Sequence, residues 1–150
     1  MSLNIRQKLT ATQHNVKAPK GQTNKFGNYR YRSAEDILES VKPLLGEYEC
    51  TLIIEDEIIH LGDRYYIKAT AIIGDNNGED AVKVTAFARE CEAKKGMDEA
   101  QITGSASSYA RKYALNGLFA IDDTKDPDAT NTHGKAPARA KAEPKNDDFL

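Results

Sequence analysis

Apolar positions follow three regimes along the 150-residue chain. Up to about residue 47 they recur at helical spacing. Residues 48–91 alternate, and helical spacing returns from 97 to 119. In the first regime Ile5, Leu9, Thr12 and Val16 share one face of a short helix over residues 2–16. A helix of that length is marginal alone, so its stripe is expected to dock on the body or on a neighbouring protomer. Ser33-Ala-Glu-Asp36 is a variant capping box, with Asp in place of the preferred Glu or Gln. It opens a second helix whose apolar face is Ile37, Leu38, Val41, Leu44 and Leu45. Pro43 removes a backbone donor, which predicts a kink or an end there, and Gly46 reads as a stop.

Three strands are predicted next. Tyr48–Leu61 is rich in Leu and Ile, but its alternation breaks at Glu55-Asp56-Glu57, where a bulge or bend is expected. Gly62–Asp63 is a turn. From Arg64 to Ile73, Tyr65, Ile67, Ala69, Ala71 and Ile73 share one face, opposite Arg64, Tyr66, Lys68 and Thr70. Asp75-Asn76-Asn77-Gly78 is a strong hairpin signal. Over Ala81–Cys91, Val82, Val84, Ala86 and Ala88 oppose Lys83, Thr85, Phe87 and Arg89. Each of these two strands thus has a face suited to a helix and a face of cations and aromatics. Half-solvated antiparallel sheets commonly look like this.

Met97–Asp123 is the central helix. Asp98, Glu99 and Gln101 suit its start, Gly117 weakens its last turn, and Asp122-Asp123 followed by Pro127 ends it. Ala106, Ala110 and Ala114 form a small-residue stripe that permits close packing on a sheet. Tyr109 and Tyr113 lie one turn apart, with Arg111 and Lys112 as the cations of this stretch. Periodicity alone makes this a core helix. The predicted fold is α+β: a three-stranded antiparallel sheet packed on a central helix, with N-terminal helices.

Residues 17–32, KAPKGQTNKFGNYRYR, hold Pro19, Gly21 and Gly27, which break regular structure. Lys20, Lys25, Arg30 and Arg32 interleave with Phe26, Tyr29 and Tyr31. Cations that follow a phosphate backbone beside rings that stack on bases suit single-stranded nucleic acid. A solvated basic loop with inward-packed tyrosines fits the same composition.

Charge sharpens this. Residues 1–34 carry seven Lys/Arg and no acid; the remainder carries 14 Lys/Arg against 23 acids, or −9, which restores the net −2 of the chain. A pI near 5.9 argues against a uniformly basic nucleic-acid binder. A cationic arm on an acidic body remains compatible with a phosphate-binding track. No apolar run approaches 18 residues and no apolar signal segment opens the chain, so a cytoplasmic protein without a membrane partner is expected. Cys50 and Cys91 form no CxxC and are expected to be reduced, structural thiols. His14, His60 and His133 are scattered, so no metal site is expected.

Several blocks, in order, resemble the ERF family of phage-type single-strand DNA annealing proteins. These are Tyr29-Arg-Tyr31-Arg-Ser33-Ala-Glu-Asp36-Ile37, Lys42-Pro43-Leu44-Leu45, and Gln101-Ile-Thr-Gly104-Ser-Ala106-Ser-Ser108-Tyr109-Ala-Arg111-Lys112-Tyr113-Ala-Leu115, followed by Asp122-Asp123. Together they span roughly residues 26–123. Where the family usually carries two arginines before the second tyrosine, this chain has Arg111–Lys112. The charge is kept, but the planar fork suited to bidentate phosphate contact is lost at one position. The resemblance implies a β-β-β-α core like that of the annealing recombinases, including the eukaryotic strand-annealing mediator. It implies assembly as a ring or filament, with single-stranded DNA in a basic groove. The DNA-binding candidates are then Lys20, Lys25, Phe26, Tyr29, Arg30, Tyr31, Arg32, Lys68, Arg89, Arg111 and Lys112. Replacing Arg30 and Arg32 together is expected to flatten the salt dependence of binding.

Residues 1–123 are expected to form the annealing domain, and residues 124–150 a disordered tail too polar to offset its ordering entropy. The stretch Asn146-Asp147-Asp148-Phe149-Leu150 resembles the acidic, apolar tails by which bacterial single-stranded DNA-binding proteins recruit repair proteins. Asp147, Asp148, Phe149 and Leu150 are therefore the partner-binding candidates, with a host single-stranded DNA-binding protein or a phage nuclease as partner. A plain solubilising tail is the alternative. No enzyme is expected. There is no GxxxxGK[ST] loop for ATP and no GxSxG elbow. The carboxylates at 55–57 and at Asp122, Asp123, Asp126 and Asp128 are weak candidates for a Mg²⁺-dependent nuclease. Annealing without nucleotide or cofactor is the expected activity. The alternatives are a passive single-strand-binding accessory and a tail-mediated adaptor.

Overall fold

A computed structural model describes residues 2–92 and 96–121. The elements, in order, are α1 (Ile5–Asn15), β1 (Gln22–Asn24), β2 (Tyr29–Tyr31), α2 (Ala34–Glu47), β3 (Cys50–Leu61), β4 (Arg64–Asp75), β5 (Ala81–Arg89) and α3 (Glu99–Phe119). The main sheet is antiparallel in the order β3-β4-β5, and β1-β2 form a separate two-stranded hairpin. The architecture is α+β, with helices packed on one face of the three-stranded sheet.

The alternation along β4 decides which face is covered. Ile67, Ala69, Ala71 and Ile73 are all buried, and they meet Val82, Val84, Ala86 and Ala88 of β5 across the ladder. Onto this face α3 lays Ala106, Ala110 and Ala114, each buried, so its backbone sits close to the strands. Gly117 extends that approach: a Cβ there would lie 3.0 Å from Val84 Cγ1. Leu115, Leu118 and Phe119 close the core against Ile37 and Val41 of α2. The chain leaves α3 at Ala120, whose φ of 52° is left-handed.

The predicted capping box at Ser33 is present, and the other two helices open the same way. Asn4, Ser33 and Asp98 are N-caps, each in a reciprocal capping box with Gln7, Asp36 and Gln101. Three local expectations are corrected. First, α2 continues through Pro43 to Glu47, and the turn out of it is made by Glu49 at φ 58° instead of Gly46. Second, β3 has no bulge: Cys50↔Asp75 to Leu61↔Arg64 pair without interruption. Third, residues 17–32 contain a hairpin, not only a loop, with Asn28 at φ 54° in its turn.

Helix α1 docks by more than its apolar stripe. Ile5, Leu9 and Thr12 are buried as predicted, and so is Lys8. Lys8 Nζ donates to Asp75 Oδ1 at 2.8 Å and approaches the Glu49 carbonyl at 3.5 Å. The hydrogen bond to Asp75 raises the Lys8 pKa, and the same bond lowers that of Asp75. Nearby, burial pushes the Cys50 thiol up. The pair ties α1 to the end of β4.

Candidate nucleic-acid interface

The hairpin that carries the basic arm is seated at the start of α2. Burial tends to raise the Asp36 pKa, but hydrogen bonds from Ser33, the Gly21 N–H and the Gln22 side chain outweigh it and hold the carboxyl below its ordinary value. Gly21 is needed for this approach, since a Cβ there would lie 2.9 Å from Asp36 Oδ1. Farther along, Arg32 Nε donates to the Ala18 carbonyl at 2.5 Å. These bonds leave the hairpin against the N-terminus of α2 and the flank of α3.

Between those three elements lies a cleft of about 390 Å³. Tyr31, Arg32 and Gln22 come from the hairpin side, Ser33, Ala34 and Glu35 from the start of α2, and Ser105, Ser108, Tyr109 and Lys112 from α3. Both cations are buried, Arg32 at 8% and Lys112 at 6% exposure. Lys112 Nζ also stands 5.5 Å from the centre of the Tyr113 ring, within cation–π range. A second cleft of about 310 Å³ runs along the edge of β5, lined by Phe87, Arg89, Met97, Ile102, Tyr109 and Tyr113 among others. The two clefts share Ser105 and Tyr109. They form one path along the flank of α3, from the basic hairpin to the sheet edge. Its aromatic walls are open to solvent: Tyr109 is 56% exposed, Tyr113 43% and Phe87 56%.

The candidates from sequence are spread over several places. Tyr31, Arg32, Lys112 and Arg89 line the path. Lys25, Phe26 and Arg30 are exposed on the hairpin, Phe26 completely so. Tyr29 packs edge-on to Tyr31 at 6.3 Å, and its hydroxyl accepts from Asn24 Nδ2 at 2.9 Å. Lys20 is half-buried in the segment before the hairpin. Lys68 and Arg111 line neither cleft. Lys68 is on the uncovered sheet face, across the ladder from Phe87 and 3.8 Å from Glu57. Arg111 turns toward β3 and holds Asp56, which also accepts from Ser107 Oγ. The tail candidates Asp147, Asp148, Phe149 and Leu150 lie outside the described residues, as do Asp122, Asp123, Asp126 and Asp128.

Sequence reasoning left Tyr109, Tyr113, Phe87, Ser105 and Ser108 out of the site. A signal was present: Tyr109 and Tyr113 each precede an alanine of the buried stripe, so they flank the packed face of the helix by about 100°. The carboxylates of 55–57 are separated by the strand alternation. Asp56 is on the helix side with Arg111, while Glu57 is across the sheet beside Lys68. Among the described residues no group of three or more His, Cys, Asp or Glu is placed to hold a metal ion. Among the same residues no helix is long and apolar enough to cross a membrane.

Comparison with known proteins adds to this geometry. The model of the ERF superfamily matches residues 5–148. The chain belongs to the ERF superfamily. It is 59% identical, over 129 residues, to the essential recombination function protein of Salmonella phage P22. That alignment covers 85% of this chain and 60% of the phage protein, so the chain spans less than two thirds of the length of that relative. No solved structure matches the chain significantly. For this ERF chain the path along α3 is therefore described from its own side chains.

Proposed function

We propose that this ERF protein binds single-stranded DNA and anneals complementary strands in phage-type recombination, without nucleotide hydrolysis. The observation that carries the reading is the pair of adjoining clefts lined by the rings of Tyr31, Tyr109, Tyr113 and Phe87 and by Arg32, Lys112 and Arg89. Cations near a phosphate backbone, with rings that accept any base face, bind a strand without reading its sequence. The family membership and the name of the phage P22 relative support the recombination role. Base pairing supplies the driving force of annealing. The protein lowers repulsion between strands and leaves enough base edges outward to sample a complement. Assembly of several protomers into a ring or filament would join their paths into one.

The test is annealing of two complementary oligonucleotides, followed by fluorescence quenching without ATP or added metal. The wild type is expected to accelerate pairing over buffer, and Tyr109→Ala to lose most of that acceleration. Tight strand binding without acceleration would leave a passive single-strand binder. Absence of both would overturn the reading.

A further inference from the structure

Among the described residues, the helices cover one face of the main sheet and leave the other open. The register fixes which side chains stand on the open face. On β4 these are Tyr66, Lys68, Thr70 and Ile72, which alternate with the buried Ile67, Ala69 and Ala71. Across the ladder they meet Arg89, Phe87, Thr85 and Lys83 of β5, all four exposed. Two of these rows make a block: Lys68 beside Phe87, and Tyr66 beside Arg89. The rings occupy one diagonal of the block and the cations the other. In the next row the Thr70 and Thr85 hydroxyls share a hydrogen bond of 3.1 Å.

Charge on this face divides by strand. Along the β4–β5 ladder it holds three cations, Lys68, Lys83 and Arg89, and no acid; its acids Glu55 and Glu57 stand on β3. Among the described residues no acid lies within ion-pair distance of Lys83 or Arg89. Lys68 meets Glu57 at 3.8 Å, with both side chains open to water. Such a contact is weak, and a phosphate can replace it.

The centre of the face is Lys68 beside the Thr70–Thr85 pair. Protein interfaces are depleted of charge at their centre, so a second copy of the chain fits poorly here. Cations beside rings that accept any base fit a nucleic-acid strand, and rings on an open sheet face stack bases in RNA-binding sheets. The face also adjoins the clefts along α3, because Phe87 and Arg89 line the second of them. β5 is therefore the border between two surfaces.

Resting on the annealing reading above, we propose that the open face of β4 and β5 holds the second strand of an annealing pair, while the clefts along α3 hold the first. The strands then run on either side of the β5 edge, with Phe87 and Arg89 between them. Glu55 and Glu57 keep the phosphates of the second strand off β3. Neither strand has to displace the other before pairing begins.

The test uses the full chain and two thymidine oligonucleotides, one with a donor dye and one with an acceptor. They cannot pair, so energy transfer reports two strands held together. Wild-type protein loaded with the first is expected to show transfer when the second is added. Lys83→Ala with Thr85→Glu changes two exposed positions that line neither cleft. It should keep the affinity for the first strand and lose the transfer. If this variant fails to melt cooperatively, Lys83→Ala alone should flatten the salt slope of second-strand binding by about 0.7. Transfer retained in the variant, as neighbouring protomers would give through their α3 clefts, would overturn the assignment. So would an equal loss of first-strand binding, which would make the face part of the first track. A lower assembly mass of the variant in light scattering would also overturn it, by making the face a contact between copies. First-strand binding by the wild type without transfer removes the second-strand surface alone; no binding of either oligonucleotide removes the annealing reading as well.

Discussion

Arg111 and Lys112 are neighbours in sequence and point to different sides of α3. About 100° of helical rotation separates them. Lys112 is buried beside the cleft, while Arg111 meets Asp56 with Nη2 and Nε at 3.2 Å from Oδ2. The charge of this pair was legible in the sequence; its division of labour was not, because it depends on which turn of the helix meets which strand. The Arg111–Asp56 contact is half-exposed, so its worth is discounted for solvent screening, to about 0.2–1 kcal/mol. Arg111→Ala and Asp56→Ala are each expected to lower the urea midpoint slightly, and the double variant to cost less than the sum. Additive effects in that cycle would show that the pair does not interact. Ala110 makes the opposite case. It is fully buried in the stripe on which α3 meets the sheet. Ala110→Leu is expected to cost about 1–3 kcal/mol by overpacking, read as a lower urea midpoint at unchanged slope.

The hairpin of β1 and β2 owes its position to a few bonds at its base, and Asp36 gathers several of them. The sign of the pH effect follows from the lowered carboxyl. Its contribution is present above the ordinary value of 3.8 and is lost as pH falls through the lower folded value. The thermal midpoint of the wild type is expected to exceed that of Asp36→Asn at pH 7. The gap should close below pH 3.8, and a gap independent of pH would show that the carboxylate is not the anchor. This element was the least legible part of the fold. Its strands are three residues each, and Gly21 and Gly27 mask any alternation. By contrast, β4 was plain because its covered face is complete from Ile67 to Ile73. The false bulge in β3 has a related cause. Asp56 lies on the helix side, where it meets Arg111 and Ser107 of α3, and the next residue on that side, Ile58, is 60% exposed. A carboxylate with partners on α3, and not a loss of register, broke the apolar pattern there. Pro43 misled for a local reason: one missing donor on a half-exposed helix did not outweigh the burial of Ile37 and Val41 on its inner face.

A chain with net charge −2 binds a polyanion only if its cations are gathered. The fold gathers them: Arg32, Lys112 and Arg89 along the path, Lys25 and Arg30 exposed on the hairpin beside it. Two acids of the sheet are drawn off, Asp56 by Arg111 and Asp75 by Lys8. If these five cations each neutralise one phosphate, log K for a single strand falls against log salt with a slope of about −3.5. Which cations to remove is decided by their second roles. Arg32 also holds the Ala18 carbonyl, so its loss disturbs the seat of the hairpin as well as the charge. Lys25 and Arg30 are exposed, and Lys25→Ala with Arg30→Ala is expected to flatten the slope by about 1.4. The thermal midpoint should stay unchanged. The check is fluorescence anisotropy of a labelled oligonucleotide over a salt series. An unchanged slope would remove the hairpin from the DNA path. A slope near zero in the wild type would remove phosphate contact, and with it the reason for a basic arm on an acidic body.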